Sequence, residues 1–345
     1  MPATSSETGM FSGMTSLTLW ILVAFFVLSI GSLMASADPI ADHFFGENPT
    51  CARQTVPVIL ATDVSTKGEI DDTISLYAYR RLEQLGCIKV IAVVSIFGNS
   101  SASTETVHAN LLQRLEVLGI DDWTVLAGPN NHVPFTRNKG LSKVDRSRLD
   151  RIADVARRHD RVVIVELGPF TISACLIMHG MIDPSRIERI VGVGGREPGE
   201  SFSTGAGIPF AFRDMNVAED REAIRYLVRN FPGKLWLVTY RTGIGSRMVR
   251  PEIVGSMGVT ALDDHARARA RRLKLIGYGG LIPLWDTWTT SYFLDGQAKQ
   301  LGCQKTRVGM RYSPGFKPTD SLHLQFLSGS ELKASVVTAC HEIQD

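Results

Sequence analysis

This chain has almost no net charge, and it lacks the common nucleotide-binding and nucleophile motifs. Its 37 Lys and Arg residues almost balance its 35 Asp and Glu residues, which leaves a formal charge of +2. This balance argues against a nucleic-acid-binding protein and against an acidic interaction tail. The sequence also has no P-loop, no GxGxxG turn and no GxSxG elbow. Phosphoryl transfer, dinucleotide binding and serine hydrolase chemistry are therefore unsupported.

Cysteine is scarce, and the five cysteines are Cys51, Cys87, Cys175, Cys303 and Cys340. Their spacing contains no CxxC or Cys/His pattern of the kind that binds zinc. In an oxidising compartment an even subset could pair, and the odd number leaves at least one cysteine free or bonded to another chain. Cys87 and Cys175 lie in apolar contexts and are expected to be small core residues.

Basic residues are missing from the N-terminal segment, and the first one is Arg53. A nearly uninterrupted apolar run from Ser16 to Ala37 ends in Ala35-Ser36-Ala37, the small-x-small pattern of a signal-peptidase site. A signal peptide normally begins with a positive segment. Either translation starts later, at Met10 or Met14, or the segment stays as a membrane anchor.

We therefore expect residues 1–37 to be a signal peptide or an N-terminal membrane anchor. Residues 38–345 would then form the folded domain outside the cytoplasm, in the periplasm or the extracellular space. Membrane contact is expected only through the N-terminal segment, if that segment is not cleaved.

Between residues 56 and 239, apolar runs of strand length alternate with helical patterns. The predicted strands are Val56–Thr62, Lys89–Ser95, Thr124–Ala127, Arg161–Glu166, Ile187–Val193 and Lys234–Thr239. The predicted helices are Asp72–Leu85, Thr104–Leu118, Arg146–Arg158, Phe170–His179 and Asp220–Arg229. This alternation predicts an α/β fold with a mostly parallel open sheet and helices on both faces. A surface helix is also predicted over Asp263–Leu275, and a small peripheral ribbon from Leu322–Phe326 and Leu332–Thr338.

Polar residues follow several of the predicted strands. They include the acidic loop from Asp63 to Asp72, Gly98-Asn99, Gly168-Pro169-Phe170-Thr171 and Gly194-Gly195-Arg196. Open α/β sheets leave a crevice at the carboxyl ends of their strands. These loops are therefore expected to line one functional site.

The acidic loop is the strongest chemical signal in the chain. Asp63, Asp71 and Asp72 would repel one another unless a cation, a proton or backbone donors offset their charge. Calcium suits such a set, because it takes six to eight oxygen ligands from carboxylates, carbonyls and water. The alternative is that Asp71 and Asp72 only sit at a helix N-terminus, where the helix dipole favours negative charge.

Five ordered blocks of this sequence together resemble the inosine-uridine-preferring nucleoside hydrolase family. They are the acidic loop, Gly98-Asn99, Gly168-Pro169-Phe170-Thr171, Asp214-Met215-Asn216 with Asp220, and Trp285-Asp286. The resemblance spans about residues 56 to 340 and implies a nucleoside hydrolase-like fold. It further implies calcium-dependent hydrolysis of the N-glycosidic bond of a ribonucleoside to ribose and free base.

The resemblance also implies a role for individual residues. The calcium ligands would be Asp63, Asp72, the carbonyl of Thr171 and Asp286, and Asp63 would also be the general base. The substrate-binding residues would be Asp71, Asn99, Asp214 and Asn216 for the sugar, and Trp285 as a stacking surface for the base. Helix capping is the alternative interpretation for Thr171, Asp214, Asn216 and Asp220.

Three positions depart from the family pattern. Ala61 stands where the family carries a further Asp, Lys67 lies in a local insertion, and Trp285 replaces a His. These departures leave two alternatives: an inactive or weakly active exported protein that binds a sugar or nucleoside, or a hydrolase of another glycoside. The expected partner is a small-molecule nucleoside or related glycoside, with no nucleic acid, and a homo-oligomer is a further expectation.

Overall fold

The computed structural model describes residues 38–46, 48–99, 102–130, 140–195, 214–244, 247–275, 277–313, 319–326 and 336–340. The predicted signal peptide or anchor, residues 1–37, lies outside the described residues and stays a prediction. Among the helices of the described ranges, none combines the length and the apolar character needed to span a bilayer.

A nine-stranded sheet runs through the described part of the chain. Its strands are β1 (Val56–Thr62), β2 (Ile88–Ser95), β3 (Val125–Ala127), β4 (Val162–Glu166), β5 (Ile187–Val193), β6 (Leu235–Val238), β7 (Gln304–Ser313), β8 (Thr319–Phe326) and β9 (Val336–Cys340). The strand order is β3-β2-β1-β4-β5-β6-β9-β7-β8. All neighbours from β3 to β9 pair in parallel, and β7 is antiparallel to both β9 and β8. The mostly parallel sheet is therefore confirmed.

Helices cover both faces of this sheet. They are α1 (Pro39–Phe45), α2 (Asp71–Gln84), α3 (Thr104–Val117), α4 (Lys143–Arg157), α5 (Thr171–Met178), α6 (Met215–Glu219), α7 (Arg221–Asn230), α8 (Pro251–Gly255), α9 (Thr260–Leu275) and α10 (Gln297–Gln300). Short 3-10 helices occur at Pro184–Arg186, Pro232–Lys234, Tyr240–Gly243 and Asp286–Phe293.

Strand β1 shows why both faces must be covered. Val58 and Leu60 belong to an apolar core shared with α1, α2, α3, α8 and α9, whereas Ile59 and Ala61 belong to a second core shared with α4, α5 and α7. Side chains alternate across a strand, so a strand buried on both faces must be apolar at nearly every position. The continuous apolar run in the sequence reflects this double burial.

The C-terminal region differs from the prediction. Strand β8 overlaps the predicted strand Leu322–Phe326, but β7 was not predicted. The predicted strand Leu332–Thr338 lies partly outside the described residues, and its described part belongs to β9. Strand β9 lies inside the sheet between β6 and β7, not in a peripheral ribbon. Pairing of a short late strand with β6 depends on long-range contacts, which local patterns do not carry.

Two disulfide bonds join Cys51 to Cys87 and Cys303 to Cys340, and Cys175 is free and buried. Cys87 is buried, as predicted, but it is a disulfide partner and not a simple core thiol. The bonds close sequence separations of 36 and 37 residues. In the chain-entropy account, a loop of that length stabilises the fold by about 4 kcal/mol.

Candidate active site

Three buried aspartates meet at the carboxyl edge of the sheet. Asp71 and Asp72 open α2, and Asp286 opens the 3-10 helix Asp286–Phe293. One carboxylate oxygen from each lies within 4.8 Å of the others. Two distant parts of the sequence therefore supply one cluster of oxygen atoms.

Hydrogen bonds between the two helices fix the spacing of this cluster. Ser75 Oγ lies 3.0 Å from Thr287 Oγ1, and the Tyr79 hydroxyl lies 2.8 Å from Thr289 Oγ1. All four side chains are buried. Because Ser75 lies one helical turn from Asp71 and Thr287 directly follows Asp286, these bonds set how closely the two helix N-termini approach.

Burial and mutual repulsion govern the electrostatics of the cluster. Burial raises the pKa of Asp71, Asp72 and Asp286 well above the ordinary carboxyl value, and charges on neighbouring carboxylates raise it further. The Thr62 hydroxyl donates to Asp72 Oδ1 at 2.6 Å and opposes that rise. Asp71 Oδ1 is buried and has no hydrogen-bond partner among the described residues. An orphaned oxygen among clustered carboxylates fits a hard divalent cation.

Asp63 lies beside this cluster, at the end of β1. It is not one of the three residues whose oxygens all lie within 4.8 Å, but its charge raises the pKa of Asp72 and Asp286. Burial raises the pKa of Asp63 itself, chiefly opposed by a hydrogen bond from the Asn99 backbone N–H to Oδ2 at 2.7 Å.

Two glycines leave room for the Asp63 carboxylate. A Cβ atom at Gly98 would lie 2.2 Å from Asp63 Oδ2, and one at Gly168 would lie 3.0 Å from Asp63 Cγ. Gly98 has φ +149°, and Asn99 has φ 44°, a left-handed value that is uncommon outside glycine. The turns after β2 and β4 are therefore shaped around Asp63.

The predicted sugar-binding residues after β5 make structural bonds. Asp214 Oδ2 accepts from Gly195 N at 2.8 Å, and Asp214 caps α6. The Asn216 amide donates to Leu167 O at 3.0 Å and to Val193 O at 3.2 Å, which ties the ends of β4 and β5 together. The capping interpretation holds for Asp214, and contact of either residue with a sugar stays a prediction.

Thr171 is the first residue of α5 and not its N-cap. Its hydroxyl donates to Asp220 Oδ2 at 2.7 Å, and Asp220 Oδ1 accepts from Ala223 N as the cap of α7. Asp220 therefore caps a helix, as the alternative interpretation predicts. It also holds Thr171, which the sequence did not indicate.

Aromatic side chains surround the residue before Asp286. The Trp285 indole N–H donates to Tyr240 O at 2.7 Å, and the two rings stack with centroids 5.6 Å apart. The Tyr240 and Tyr278 hydroxyls lie 3.1 Å apart. A Cβ atom at Gly243 would lie 2.2 Å from Trp285 Cδ1. The indole is thus fixed in place, and its single N–H is already engaged.

Comparison with known proteins assigns the family. The sequence model described as "Inosine-uridine preferring nucleoside hydrolase" matches residues 58–320. The chain belongs to this family. No curated protein sequence matches it significantly.

Solved structures of nucleoside hydrolases share the fold at low sequence identity. A plant nucleoside hydrolase is 17% identical, with a TM-score of 0.61 over 84% of this chain and 94% of that one. The purine-preferring ribonucleoside hydrolase from Gardnerella vaginalis is 14% identical, with a TM-score of 0.59 over 83% and 93%. The type III effector XopQ, solved with adenosine diphosphate ribose, is 16% identical, with a TM-score of 0.55 over 83% and 91%.

The departures from the nucleoside hydrolase pattern have clear positions. Ala61 is fully buried in the core that faces α4, α5 and α7, and Lys67 is exposed on the loop between Asp63 and Asp71. Neither side chain lies among the buried aspartates. Trp285 departs more strongly, because it borders Asp286 directly.

Sequence reasoning missed Glu69, whose charge acts on the site aspartates, and Glu166, a buried carboxylate at the end of β4. Glu69 raises the pKa of all four aspartates and pairs with Arg269 at 3.2 Å. Glu166 ends β4, is fully buried and accepts from both the N–H and the hydroxyl of Ser173, while burial raises its pKa to about 8. For Glu166, the sequence signal was a charged residue at the end of an apolar strand. For Glu69, the signal was its place inside the acidic loop.

Proposed function

We propose that this nucleoside hydrolase family member uses bound Ca²⁺ to hydrolyse the N-glycosidic bond of a ribonucleoside to ribose and free base. The observation that carries the proposal is the buried cluster of Asp71, Asp72 and Asp286, with Asp63 beside it. Like charges are gathered here at a cost in repulsion and desolvation that a divalent cation would offset. Family membership supplies the reaction class.

The cation would be held by Asp63, Asp72, Asp286 and the carbonyl of Thr171. When bound, it supplies orientation of the sugar hydroxyls and acidity to a water molecule. Asp63 would accept the proton from that water. Its place at the end of β1, beside the three clustered carboxylates, supports this role.

Asp71 would accept hydrogen bonds from the ribose hydroxyls, and its unpartnered oxygen supports that role. Asn99, Asp214 and Asn216 would complete the sugar site at the same edge of the sheet. Hydrolysis develops positive charge on the sugar ring, and the surrounding carboxylates favour that charge.

The departure of the base is the step for which the fewest side-chain roles are assigned. Trp285 would offer its ring as a stacking surface, but an indole N–H is far too weak an acid to protonate a leaving base, and here it is bonded to Tyr240 O. We therefore propose that the substrates have a leaving group that departs without being protonated by Trp285. This proposal includes glycosides other than the common nucleosides.

The two disulfides support a location outside the cytoplasm, because such bonds persist in oxidising compartments. We propose that the protein is exported, either as a periplasmic or extracellular protein or anchored by residues 1–37. N-terminal sequencing of the protein recovered from its native host tests this. A mature chain starting near Asp38 supports cleavage, and an intact N-terminus in the membrane fraction supports the anchor.

The catalytic proposal is tested by ribose release. Metal-free protein is incubated with a panel of purine and pyrimidine ribonucleosides, with and without added Ca²⁺ or Mg²⁺, and reducing sugar is measured. Ribose should appear only with added metal, and Asp72→Ala should abolish both calcium binding in calorimetry and ribose release. Absence of calcium binding by the unmodified protein would refute the mechanism.

A non-catalytic nucleoside-binding protein is the second candidate, and the engaged N–H of Trp285 favours it. Calorimetric binding of a nucleoside in the presence of Ca²⁺, with no ribose formed over the whole panel, would select this function. Release of ribose from any member of the panel selects the hydrolase.

A further inference from the structure

The loop that joins Asp63 to Asp71 is held from outside by two helices. Side chains of α3 and α9 bond to four backbone carbonyls of the acidic loop. The contacts are Asn110 Nδ2 to Val64 O at 3.3 Å, Arg114 Nη2 to Ser65 O at 3.4 Å and to Thr66 O at 2.9 Å, and His265 Nε2 to Gly68 O at 3.1 Å.

Arg114 and His265 also contact each other, which fixes the protonation of the imidazole. Arg114 Nη2 lies 2.9 Å from His265 Nδ1. A guanidinium can only donate and a carbonyl can only accept. His265 must therefore accept at Nδ1 and donate from Nε2 to the carbonyl of Gly68, which requires the neutral ring.

These contacts are made by the buried, positively charged guanidinium of Arg114. Its side chain is buried, and among the described residues it forms no ion pair with a carboxylate. Burying a guanidinium costs free energy unless its hydrogen bonds are satisfied. Its Nη2 bonds to the two loop carbonyls and to His265, while its Nε is buried without a hydrogen-bond partner among the described residues. The hydrogen bonds described for this buried charge therefore all go to the acidic loop and to the histidine that contacts it.

We propose that Arg114 and His265 are positioning residues that hold the acidic loop in the shape required for cation binding. The loop sets the separation between Asp63 and the Asp71–Asp72 pair, whose carboxylates repel one another. Without this support, the loop would relax to separate the charges, and a cation would have to reorder it on binding. The proposal rests on the cation site of the proposed function.

The contact pattern makes the positioning sensitive to acid. Burial lowers the pKa of His265, the bond to Gly68 O opposes this, and the charges of Arg114, Arg269 and Arg272 lower it further. A lowered histidine pKa contributes stability at neutral pH, and that contribution is lost as the pH falls below the ordinary value of 6.5. A proton on Nδ1 would face the Arg114 guanidinium, so acid should release the loop.

Matched variants distinguish the contact that His265 Nε2 makes with Gly68 O from the contact that Nδ1 makes with Arg114. His265→Gln carries an amide that reaches as far as Nε2 and retains a donor for Gly68 O, whereas His265→Asn reaches only as far as Nδ1. Arg114→Lys keeps the charge but not the planar guanidinium whose Nη2 contacts both carbonyls and His265. Arg186→Met is the control for Arg114→Met, because Arg186 also donates to a backbone carbonyl, His159 O at 3.0 Å, at the amino edge of the sheet.

Calcium affinity of the metal-free protein is measured by calorimetry at pH 7.5 and pH 5.5, and amide hydrogen exchange reports on the acidic loop. Arg114→Met should weaken calcium binding at pH 7.5 about tenfold or more, since hydrogen bonds to charged groups are worth about 1.5 to 3 kcal/mol. Arg114→Lys should lie between Arg114→Met and the unmodified protein.

At the same pH, His265→Asn should weaken calcium binding about fivefold, and His265→Gln should stay within about threefold of the unmodified protein. His265→Gln should also lose less calcium affinity on acidification than the unmodified protein does. Exchange of the loop amides should accelerate in Arg114→Met and not in Arg186→Met.

Two results would overturn the proposal. One is calcium binding by Arg114→Met and His265→Asn that equals that of the unmodified protein, and the other is unchanged exchange of the loop amides. Failure of the unmodified protein to bind calcium would instead refute the proposed function. In that case the exchange comparison of Arg114→Met with Arg186→Met still decides whether the loop is held.

Discussion

The acidic side of the candidate site, formed by Asp63, Asp71, Asp72 and Asp286, contrasts with its aromatic side, formed by Trp285, Tyr240 and Tyr278. On the acidic side, like charges crowd together and Asp71 Oδ1 has no protein partner among the described residues. On the aromatic side, the indole N–H and the two tyrosine hydroxyls are bonded within the protein. A bound cation or protonation would relieve the repulsion in the first arrangement, whereas the second is held by hydrogen bonds within the protein.

This difference is sharpest at two adjacent residues. Asp286 points its carboxylate into the acidic cluster, while Trp285 is locked against Tyr240. The described residues therefore supply a set of carboxylate oxygens suited to a cation, whereas Trp285 supplies no proton for a leaving group. Substrate choice should depend mainly on the aromatic side, and reaction rate mainly on the acidic side.

Loss of the proposed general base should give the largest effect. Asp63→Asn keeps the shape of the side chain but cannot accept a proton, so kcat for ribose release should fall by about a hundredfold to ten-thousandfold. Asp264→Asn, the same change at an exposed position of α9, is the control and should leave kcat unchanged. Retention of kcat within threefold in Asp63→Asn would remove Asp63 from the mechanism.

Calcium should stabilise the protein more at high pH than at low pH. The raised pKa values of the aspartates mean that the metal-free fold is favoured while they are protonated and loses stability as the pH rises through those values. Calcium at a hundredfold excess over its Kd should then add about 2.7 kcal/mol at pH 8. At pH 5 the gain should be smaller, because protons compete for the same oxygens. Thermal unfolding with calcium or with chelator measures the gain in stability at pH 8 and at pH 5.

Glu166 provides the control for that experiment. Its pKa is raised from 4.5 to about 8 by burial, but it lies apart from the three-aspartate cluster. The gap between these values corresponds to a loss of about 5 kcal/mol as the pH rises. Glu166→Gln should flatten the calcium-independent part of the pH dependence and leave the calcium-dependent part intact. Loss of the calcium effect in this variant would show that the two sets of carboxylates are coupled.

Two glycines allow the two sides to be disturbed separately. Gly98→Ala places a methyl group against Asp63 Oδ2 at a φ of +149°, and should lower kcat about tenfold or more. Gly243→Ala presses on Trp285 and should cost about 1 to 3 kcal/mol of stability while changing KM and base preference more than kcat. Steady-state kinetics over the nucleoside panel distinguishes them. If both variants changed kcat, KM and base preference in the same way, the acidic and aromatic sides would not have separate roles.

The smallest effect is expected from Trp285→Phe. This change removes the hydrogen bond to Tyr240 O, worth about 1 kcal/mol, but keeps an aromatic face. Because the indole N–H is not the leaving-group acid, kcat and its pH profile should stay within about threefold. A hundredfold fall in kcat, or loss of one limb of the pH profile, would give Trp285 a chemical role.

Much of the fold and part of the site could be predicted because their signals are local. The limits of β1 and β5 agree with the predicted bounds. Strand β1 is buried at nearly every position, so its apolar run marks it directly. The meeting of Asp72 with Asp286 was implied by the resemblance to the family, and the structure brings their carboxylates together.

Contacts between distant segments carried no such signal. Neither the pairing of Cys51 with Cys87 nor the bond from Thr171 to Asp220 follows from residue type and spacing. The engaged indole of Trp285 was equally hidden, because its partner is a backbone carbonyl, which every residue has. Side-chain roles set by such partners need coordinates.

The place of β9 has a consequence for how the polypeptide reaches its final form. Strand β9 separates β6 from the β7–β8 hairpin, yet it is synthesised after every other described strand. The hairpin has no sheet neighbour until residues 336–340 leave the ribosome. Among the described strands, the one made last is therefore the one that joins the hairpin to the rest of the sheet.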